Sequence, residues 1–230
     1  MKTLLIVLLF LVTPILFSQE SEISKSFYSS FDKTIGLQNT DLSYGVIFKE
    51  NYRKLKGNHN FFLNDHFESG NITYSGDSYF NVKMKYDLVD DVIILNIANK
   101  DQNISLIPEK ELISKFSFYN LKFVYTKEHG FLEEKTSNEN FSIYTKHIKK
   151  AKENRDRKYI YYTFKEQYKK LLFYKDQYYF IKSKKDFITI FPKNKKTITK
   201  FYKKNKFLLK NNFDHFIVKL INELLIELKK

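Results

Sequence analysis

The segment YFNVKMKYDLVDDVIIL, residues 79–95, joins two patterns that are both typical of β-strands. Side chains of an extended chain point to opposite faces in turn, so Phe80, Val82, Met84 and Tyr86 are predicted to share one face. The VIIL that closes the segment is entirely apolar, which is typical of a strand buried on both faces. We therefore predict two strands with a reversal between them.

Three aspartates, Asp87, Asp90 and Asp91, occupy that reversal. Aspartate favours turns because its carboxylate accepts hydrogen bonds from nearby backbone N–H groups. Carboxylates also bind Ca²⁺, but this cluster has neither the alternate spacing nor the glycine of an EF-hand loop. We interpret the cluster as a structural turn. An acid/base pair or a metal site in a hydrolase is the alternative.

Strand patterns also dominate the rest of the chain as far as Lys182. The fold class that we predict is α+β: a largely antiparallel sheet, either curved or forming a partial barrel or sandwich, followed by helices. The polar run at 149–158 is predicted to be a loop. Further strands are predicted at 42–52, 70–76, 92–97, 103–108, 115–126, 141–148 and 158–164, with a hairpin at 169–182.

Helical signals begin after this hairpin. Ser183 and Asp186 form a variant of the capping box, and Pro192 ends the helix that they begin. Asn194 is predicted to cap a second helix. The last segment repeats apolar residues at helical spacing, which predicts a helix with one face in a core. These residues are Phe213, Phe216, Ile217, Leu220, Ile221, Leu224, Leu225 and Leu228.

The N-terminus has the pattern of a secretory signal peptide. Lys2 precedes an apolar run from Leu4 to Phe17. This run is shorter than a membrane-spanning helix, which needs roughly 20 residues, and it fits the apolar region of a signal peptide. We expect cleavage after Ser18, no transmembrane span in the mature chain, and a location in the periplasm or at the cell surface. A retained anchor is the alternative. The expected domains are 19–182, with a short helix at 21–35, and a helical segment at 183–230 packed on it.

Positive charge is concentrated in the second half of the chain. Residues 141–230 carry 25 Lys/Arg and 8 Asp/Glu, whereas the whole chain has a net charge of +14. Such a half suggests a polyanionic partner, and its candidate contacts flank Tyr-rich strands: Lys165, Lys169, Lys170 and Lys175. However, only three of the forty basic residues are arginine. Arginine binds phosphate better than lysine does, because its guanidinium can donate two parallel hydrogen bonds. We therefore favour solvated lysine faces over specific binding of nucleic acid.

Motifs of known chemistries are missing from the sequence. There is no cysteine, which excludes thiolate nucleophiles and cysteine metal sites, and there is no HExxH, GxSxG or P-loop. His59 and His66, with Asp65 beside one of them, are a poor match to a metal site. We expect no cofactor, no metal and no catalytic residue. The predicted function is binding of an envelope protein or glycan without catalysis.

Several segments together resemble a group of uncharacterised exported proteins of Bacteroidota. They are GDSYFNVKMKYDLVDDVIIL, ISLIPEKELISKFSF, a Tyr-rich strand pair and KKDFITIFPKNKKTITKFYKKNKF, within residues 70–225. The shared pattern is an alternating strand, a tyrosine step followed by acids, and a lysine-rich helical C-terminus. The resemblance implies export and a β-rich fold. It transfers no catalytic residue.

Overall fold

The computed structural model describes residues 36–98 and 103–228. The predicted signal peptide, its cleavage site at Ser18 and the predicted helix at 21–35 lie outside these residues. The described chain is largely an antiparallel sheet of eleven strands that is not closed, followed by C-terminal helices, which confirms the predicted fold class. None of the described helices combines the length and the apolar character needed to cross a membrane.

The chain divides into two compact units, and the first takes residues 36–51, 63–87, 92–98 and 103–120. Its six strands are ordered β1-β5-β4-β3-β2-β6. Its elements are 3-10 helices Leu37–Asn39, Asp41–Ser43 and Lys110–Leu112, and strands β1 Gly45–Ile47, β2 Glu68–Tyr74, β3 Asp77–Asp87, β4 Val92–Ala98, β5 Asn103–Pro108 and β6 Ile113–Phe118.

The predicted strand pair around the aspartates is present as β3 and β4, which pair from Lys83↔Asn96 to Asp87↔Val92. Ile93, Ile94 and Leu95 are consecutive and each at most 1% exposed, so β4 is buried on both faces, as its apolar sequence predicted. The strand predicted at 42–52 is shorter than expected. Only Gly45–Ile47 forms β1, because a 3-10 helix precedes it and its pairing with β5 ends at Ile47.

The predicted face of β3 is correct only in part. Val82, Met84 and Tyr86 are buried together, but Tyr79 is buried in place of Phe80. Asn81, which lies between Phe80 and Val82, has a φ of +57°. The register of β2 with β3 shifts next to Asn81, between Gly70 and Ile72 of β2. This irregularity moves the side chains before it to the other face, which a strict alternation cannot anticipate.

Residues 115–126 form two strands and not the single strand that we predicted. β6 ends at Phe118, and the next strand begins at Leu121. Tyr119 and Asn120 both have positive φ, +53° and +59°, as in a type I′ turn. The prediction failed because tyrosine is a strand former and the usual glycine of such a turn is missing.

The second unit takes residues 52–62, 88–91 and 121–228. Its five strands are ordered β7-β8-β9-β10-β11. Its elements are strands β7 Leu121–Thr126, β8 Gly130–Ser137, β9 Ser142–Arg155, β10 Ile160–Tyr174 and β11 Gln177–Ile181, followed by α1 Lys184–Ile190, the 3-10 helix Pro192–Asn194, α2 Lys195–Lys204, α3 Lys206–Asn211 and α4 Phe213–Leu228.

The polar run at 149–158 is mostly strand, so the loop prediction was wrong. β9 continues to Arg155 and pairs with β10 without interruption from Arg155↔Ile160 to Ser142↔Phe173. Polar side chains link the two strands here, because the Asn154 amide donates to the Thr163 hydroxyl at 2.9 Å. The residues of β9 from 150 to 153 are exposed, so no apolar periodicity marks this part of the strand.

The C-terminal helices share a core with β9, β10 and β11. In α4 the predicted apolar stripe is confirmed, since five of its residues are fully buried: Phe216, Ile217, Leu220, Ile221 and Leu224. They pack with residues of the strands, of α1 and α2, and of the positions next to β9 and α1: Phe141, Ile143, Leu172, Tyr174, Ile181, Phe187, Phe191, Ile198 and Phe201. Burial of this size supplies most of a helix's stability in a protein.

The capping box at the start of α1 is confirmed. The Asp186 carboxylate accepts hydrogen bonds from the backbone N–H groups of Lys182 and Ser183, at 2.9 and 2.8 Å. α1 ends at Ile190, before Pro192. Asn194 precedes α2 but its side chain does not cap the helix. Its side-chain amide donates instead to the Glu227 carboxylate at 2.8 Å. The position of the helix start was predicted correctly, but the capping hydrogen bond was not.

Candidate binding groove

The outer edge of β10 is covered at both ends and open in the middle. β11 pairs with β10 only from Lys170↔Ile181 to Tyr174↔Gln177. At the other end, the backbone N–H of Tyr162 donates to the Arg53 carbonyl, and that of Phe164 donates to the Asn58 side chain. No strand among the described residues pairs with positions 165–169 on this side of β10.

A groove of about 590 Å³ opens beside this uncovered edge, where β11 ends. Its size is within the range of small-ligand sites. The lining combines aromatic rings with lysine side chains, and one residue comes from the start of α4. The lining residues are Tyr168, Lys169, Lys170, Phe180, Ile181, Lys182 and Phe213.

Two aromatic rings of the groove are open to solvent. Tyr168 is 68% exposed and Phe180 is 53% exposed. The Lys169 ammonium lies 5.4 Å from the centroid of the Phe180 ring, and the Lys170 ammonium lies 5.8 Å from that of Tyr168. An ammonium group therefore lies within the range of a cation–π interaction from each ring. Apolar surface and positive charge meet at the same place.

Lys170 is already engaged by protein groups. Its ammonium lies 2.5 Å from the Asp214 carboxylate and donates to the Thr145 hydroxyl at 2.8 Å. Only 11% of its side chain is exposed. Lys170 therefore ties β10 to α4 and forms a wall of the groove, whereas Lys165 and Lys169 are exposed.

The lysines predicted from the sequence are only partly brought together. Lys165, Lys169 and Lys170 lie on one stretch of β10, but Lys175 lies in the turn that follows this strand. Lys175 lines a different cavity, with Asp176 and residues 138–142 among its neighbours. Lys182 was missed. It follows the last residue of β11, and only the pairing of β11 with β10 brings it to the groove.

The side chains of the groove divide between the two faces of the sheet. Phe180 is opposite Leu171 in the register, so it shares a face with Lys169 and Lys165. Ile181 is opposite Lys170, and both share the other face with Tyr168. One face of the open edge therefore presents lysines, and the other presents a tyrosine beside an ion-paired lysine.

The aspartate cluster of Asp87, Asp90 and Asp91 lies at the reversal between β3 and β4. The turn predicted there is present at 88–91. Asp87 is the last residue of β3 and is 2% exposed. The Asp91 carboxylate lies 2.6 Å from the Lys146 ammonium, and Asp90 accepts a hydrogen bond from the Tyr52 hydroxyl at 3.3 Å. These contacts support the structural interpretation of the turn residues.

No group of three or more His, Asp or Glu side chains within 36–98 and 103–228 is arranged to hold a metal ion. His59 stacks on Phe61, with ring centroids 6.1 Å apart. The backbone N–H of His66 donates to the Asn64 side chain at 2.9 Å. The structure thus gives local contacts for both histidines.

Sequence reasoning missed a buried carboxylate. Glu133, on β8, is 2% exposed, and the His147 imidazole on β9 lies 2.7 Å from it through Nε2. Burial raises the pKa of the Glu133 carboxyl, but hydrogen bonds from His147 and Lys135 outweigh this and lower the pKa below its ordinary value of 4.5. The Phe62 and Phe123 rings pack around the imidazole. This enclosure is typical of a structural pair.

Comparisons of the chain with family models, with curated proteins and with solved structures gave no match. The resemblance to exported proteins of Bacteroidota stays a prediction.

Proposed function

We propose that the protein is a binding protein of the cell envelope that holds an anionic partner with apolar groups in the groove beside β10. The observation that carries this proposal is the pairing of exposed rings with lysines. Phe180 and Tyr168 each have a lysine ammonium within 5.8 Å of the ring centroid. Exposed apolar side chains that form a patch mark an interaction site. The exposed lysines beside this patch, Lys169 and Lys182, favour a negative partner.

The charge around the groove supports an anionic partner. Lys165, Lys169 and Lys182 are exposed, whereas the Asp214 carboxylate is paired with Lys170. Glu166 is the one acidic residue of β10, so positive charge predominates along this edge. Because a lysine is a point charge without the fork of arginine, we propose recognition of charge and shape and no specific reading of nucleic acid.

Binding measurements test this proposal directly. Fluorescence anisotropy of the chain from Gln19 would use a labelled acidic peptide, an acidic glycan, several oligonucleotides and anionic vesicles, at about 50 and 200 mM salt. The double variant Lys169→Glu/Lys182→Glu should weaken binding at least about tenfold, which is about 1.4 kcal/mol. Lys175→Glu/Lys193→Glu changes the net charge equally, away from the groove, and should change affinity less than threefold, about 0.7 kcal/mol.

Equal losses in both double variants would mean that diffuse positive charge attracts every polyanion, and the groove proposal would be wrong. Tight, salt-resistant binding to one oligonucleotide sequence would replace it with specific recognition of nucleic acid.

The envelope location is a separate part of the proposal and is based on the N-terminal sequence. A signal peptide cut after Ser18 would deliver the chain to the periplasm or surface. Intact-mass measurement on protein from the native envelope should give a chain that starts close to Gln19. Full-length protein found in the cytoplasm would contradict export without affecting the groove.

A further inference from the structure

We propose that the partner held beside β10 is an extended acidic polypeptide segment, which adds a strand to the open edge at positions 165–169. This inference rests on the proposed function and names the partner's class. The open stretch is about 17 Å long, which matches a strand of about five residues. An added segment would occupy the place that β11 would fill if it continued past Ile181.

The backbone of the open stretch offers hydrogen bonds to such a strand. The N–H groups of Tyr162 and Phe164 point outward, to the Arg53 carbonyl and the Asn58 side chain. Backbone groups of a strand alternate in direction, and the register of β9 with β10 has no bulge, so the groups of Glu166 and Tyr168 also point outward. Among the described residues, no hydrogen-bond partner faces these groups.

The two faces of the edge predict the sequence pattern of the added strand. Side chains opposite Lys165 and Lys169 lie on the lysine face, with Phe180 and Lys182 nearby, and acidic residues fit there. Side chains opposite Tyr168 lie on the other face, towards Phe213, and apolar residues fit there. Acidic and apolar residues should therefore alternate along the segment.

The same charges disfavour a second copy of this chain as the partner. Two β10 edges pairing with one another would bring their lysines together, and like charges on neighbouring strands are destabilising. An acidic glycan or an anionic membrane would satisfy the lysines but lacks N–H groups at the spacing of a strand. Both stay as outcomes of the test.

The first experiment compares three labelled hexapeptides with the chain from Gln19 by fluorescence anisotropy. Glu-Val-Glu-Val-Glu-Val has the predicted alternation, and Glu-Glu-Glu-Val-Val-Val has the same composition without it. Lys-Val-Lys-Val-Lys-Val keeps the alternation and reverses the charge. We expect the alternating acidic peptide to bind at least about tenfold more tightly than the other two, or about 1.4 kcal/mol. Equal affinity of both acidic peptides would contradict the strand geometry.

Two substitutions at one position separate the backbone from the side chain. Glu166→Pro removes one outward N–H and leaves the hydrogen bonds to β9 intact, since proline is tolerated at the edge of a sheet. Glu166→Ala keeps that N–H and removes the same carboxylate. Binding of the alternating peptide should fall at least about tenfold, about 1.4 kcal/mol, in Glu166→Pro. It should be unchanged or tighter in Glu166→Ala. Equal binding by both variants would overturn the inference.

Backbone methylation of the peptide gives the same test without altering the protein. N-methylation of every Val blocks one edge of the peptide strand, and N-methylation of every Glu blocks the other. Only one of the two series should lose binding: the Val series for an antiparallel strand and the Glu series for a parallel one. Loss in both series, or in neither, would contradict strand addition.

These results also distinguish the two proposals. If Lys169→Glu/Lys182→Glu weakens binding of a glycan or of vesicles while backbone methylation has no effect on the peptide, the groove is a polyanion site and the strand inference is wrong. If the Lys169→Glu/Lys182→Glu variant binds every probe as the unmodified chain does, the groove proposal itself is wrong.

Discussion

The Asp91 carboxylate and the Lys146 ammonium lie 2.6 Å apart and fill the space beside Gly130. A Cβ at Gly130 would come within 2.0 Å of the Asp91 Oδ2 atom and 3.1 Å of the Lys146 Nζ atom. The Lys146 ammonium also donates to the Phe131 carbonyl at 3.2 Å. The turn at 88–91 is therefore held to β8 and β9 by a charged contact that needs a glycine next to it.

Gly130→Ala should destabilise the protein more than Gly57→Ala. Both glycines have positive φ, +68° and +78°. Both variants should therefore lose about 1–2 kcal/mol to backbone strain. Only Gly130→Ala also displaces the ion pair, because nothing lies within 4 Å of a Cβ at Gly57. Urea denaturation should give an excess of about 1 kcal/mol for Gly130→Ala.

The matched test for this excess is a double-mutant cycle. In an Asp91→Ala background the carboxylate is gone, so Gly130→Ala should cost no more than Gly57→Ala. An excess that persists without the carboxylate would mean that the ion pair is not its cause.

The aspartates of the turn should differ in their contribution to stability. Asp90 is exposed and makes a 3.3 Å contact with the Tyr52 hydroxyl. Asp90→Asn should therefore change the free energy of unfolding by less than about 1.5 kcal/mol. Asp91→Asn should cost more, since it removes the carboxylate charge that faces the partly buried Lys146 ammonium. Added Ca²⁺ should leave the melting temperature unchanged. A rise of several degrees at millimolar Ca²⁺ would indicate a cation site instead.

The outcome for this turn shows what the sequence can and cannot predict. Aspartate next to alternating and apolar runs predicted the reversal between β3 and β4, because turn chemistry is local. The partner of Asp91 is Lys146, which is remote in the chain, and only the pairing of strands identifies it. The groove likewise depends on strand pairing that the sequence does not reveal. Lys182 and Lys169 line it together only because β11 pairs with β10.

Irregular positions account for two of the other failures, and a polar strand accounts for a third. Asn81 and Tyr119 have positive φ without being glycine, so composition gave no warning of the face change in β3 or of the break between β6 and β7. β9 beyond Ile148 has polar residues on both faces, and backbone pairing with β10 decides its structure. Helix α4 was predicted well because its apolar period continues along the whole helix.

The buried Glu133 should make stability depend on pH. Its pKa in the folded protein is lowered, so its contribution is fully present above the ordinary value of 4.5 and is lost as the pH falls through the lowered value. Glu133→Gln weakens the buried contacts to His147 and Lys135. It should therefore lose about 1–3 kcal/mol at pH 7. The matched control is Glu134→Gln, on the partly exposed neighbour. It should change stability by less than about 0.5 kcal/mol, as surface substitutions usually do.

Urea denaturation at pH 7 and at about pH 3 measures this dependence, with the difference between the unmodified protein and Glu133→Gln as the readout. The difference should shrink at the lower pH, because protonation of the carboxyl removes what the substitution removes. A constant difference across this range would contradict the role of the carboxylate charge.

The turn between β10 and β11 provides a test that also checks the extent of the groove. Lys175 and Asp176 both have positive φ, +50° and +60°, which is the backbone of a type I′ turn. Asn-Gly is the preferred sequence for such a turn, so Lys175→Asn/Asp176→Gly should raise the free energy of unfolding by about 1 kcal/mol. The same variant removes a lysine that the sequence placed among the polyanion contacts. Because Lys175 lines a different cavity, binding of the alternating acidic peptide should stay within threefold of the unmodified chain. A tenfold loss of binding would place Lys175 in the site and contradict the boundaries of the groove.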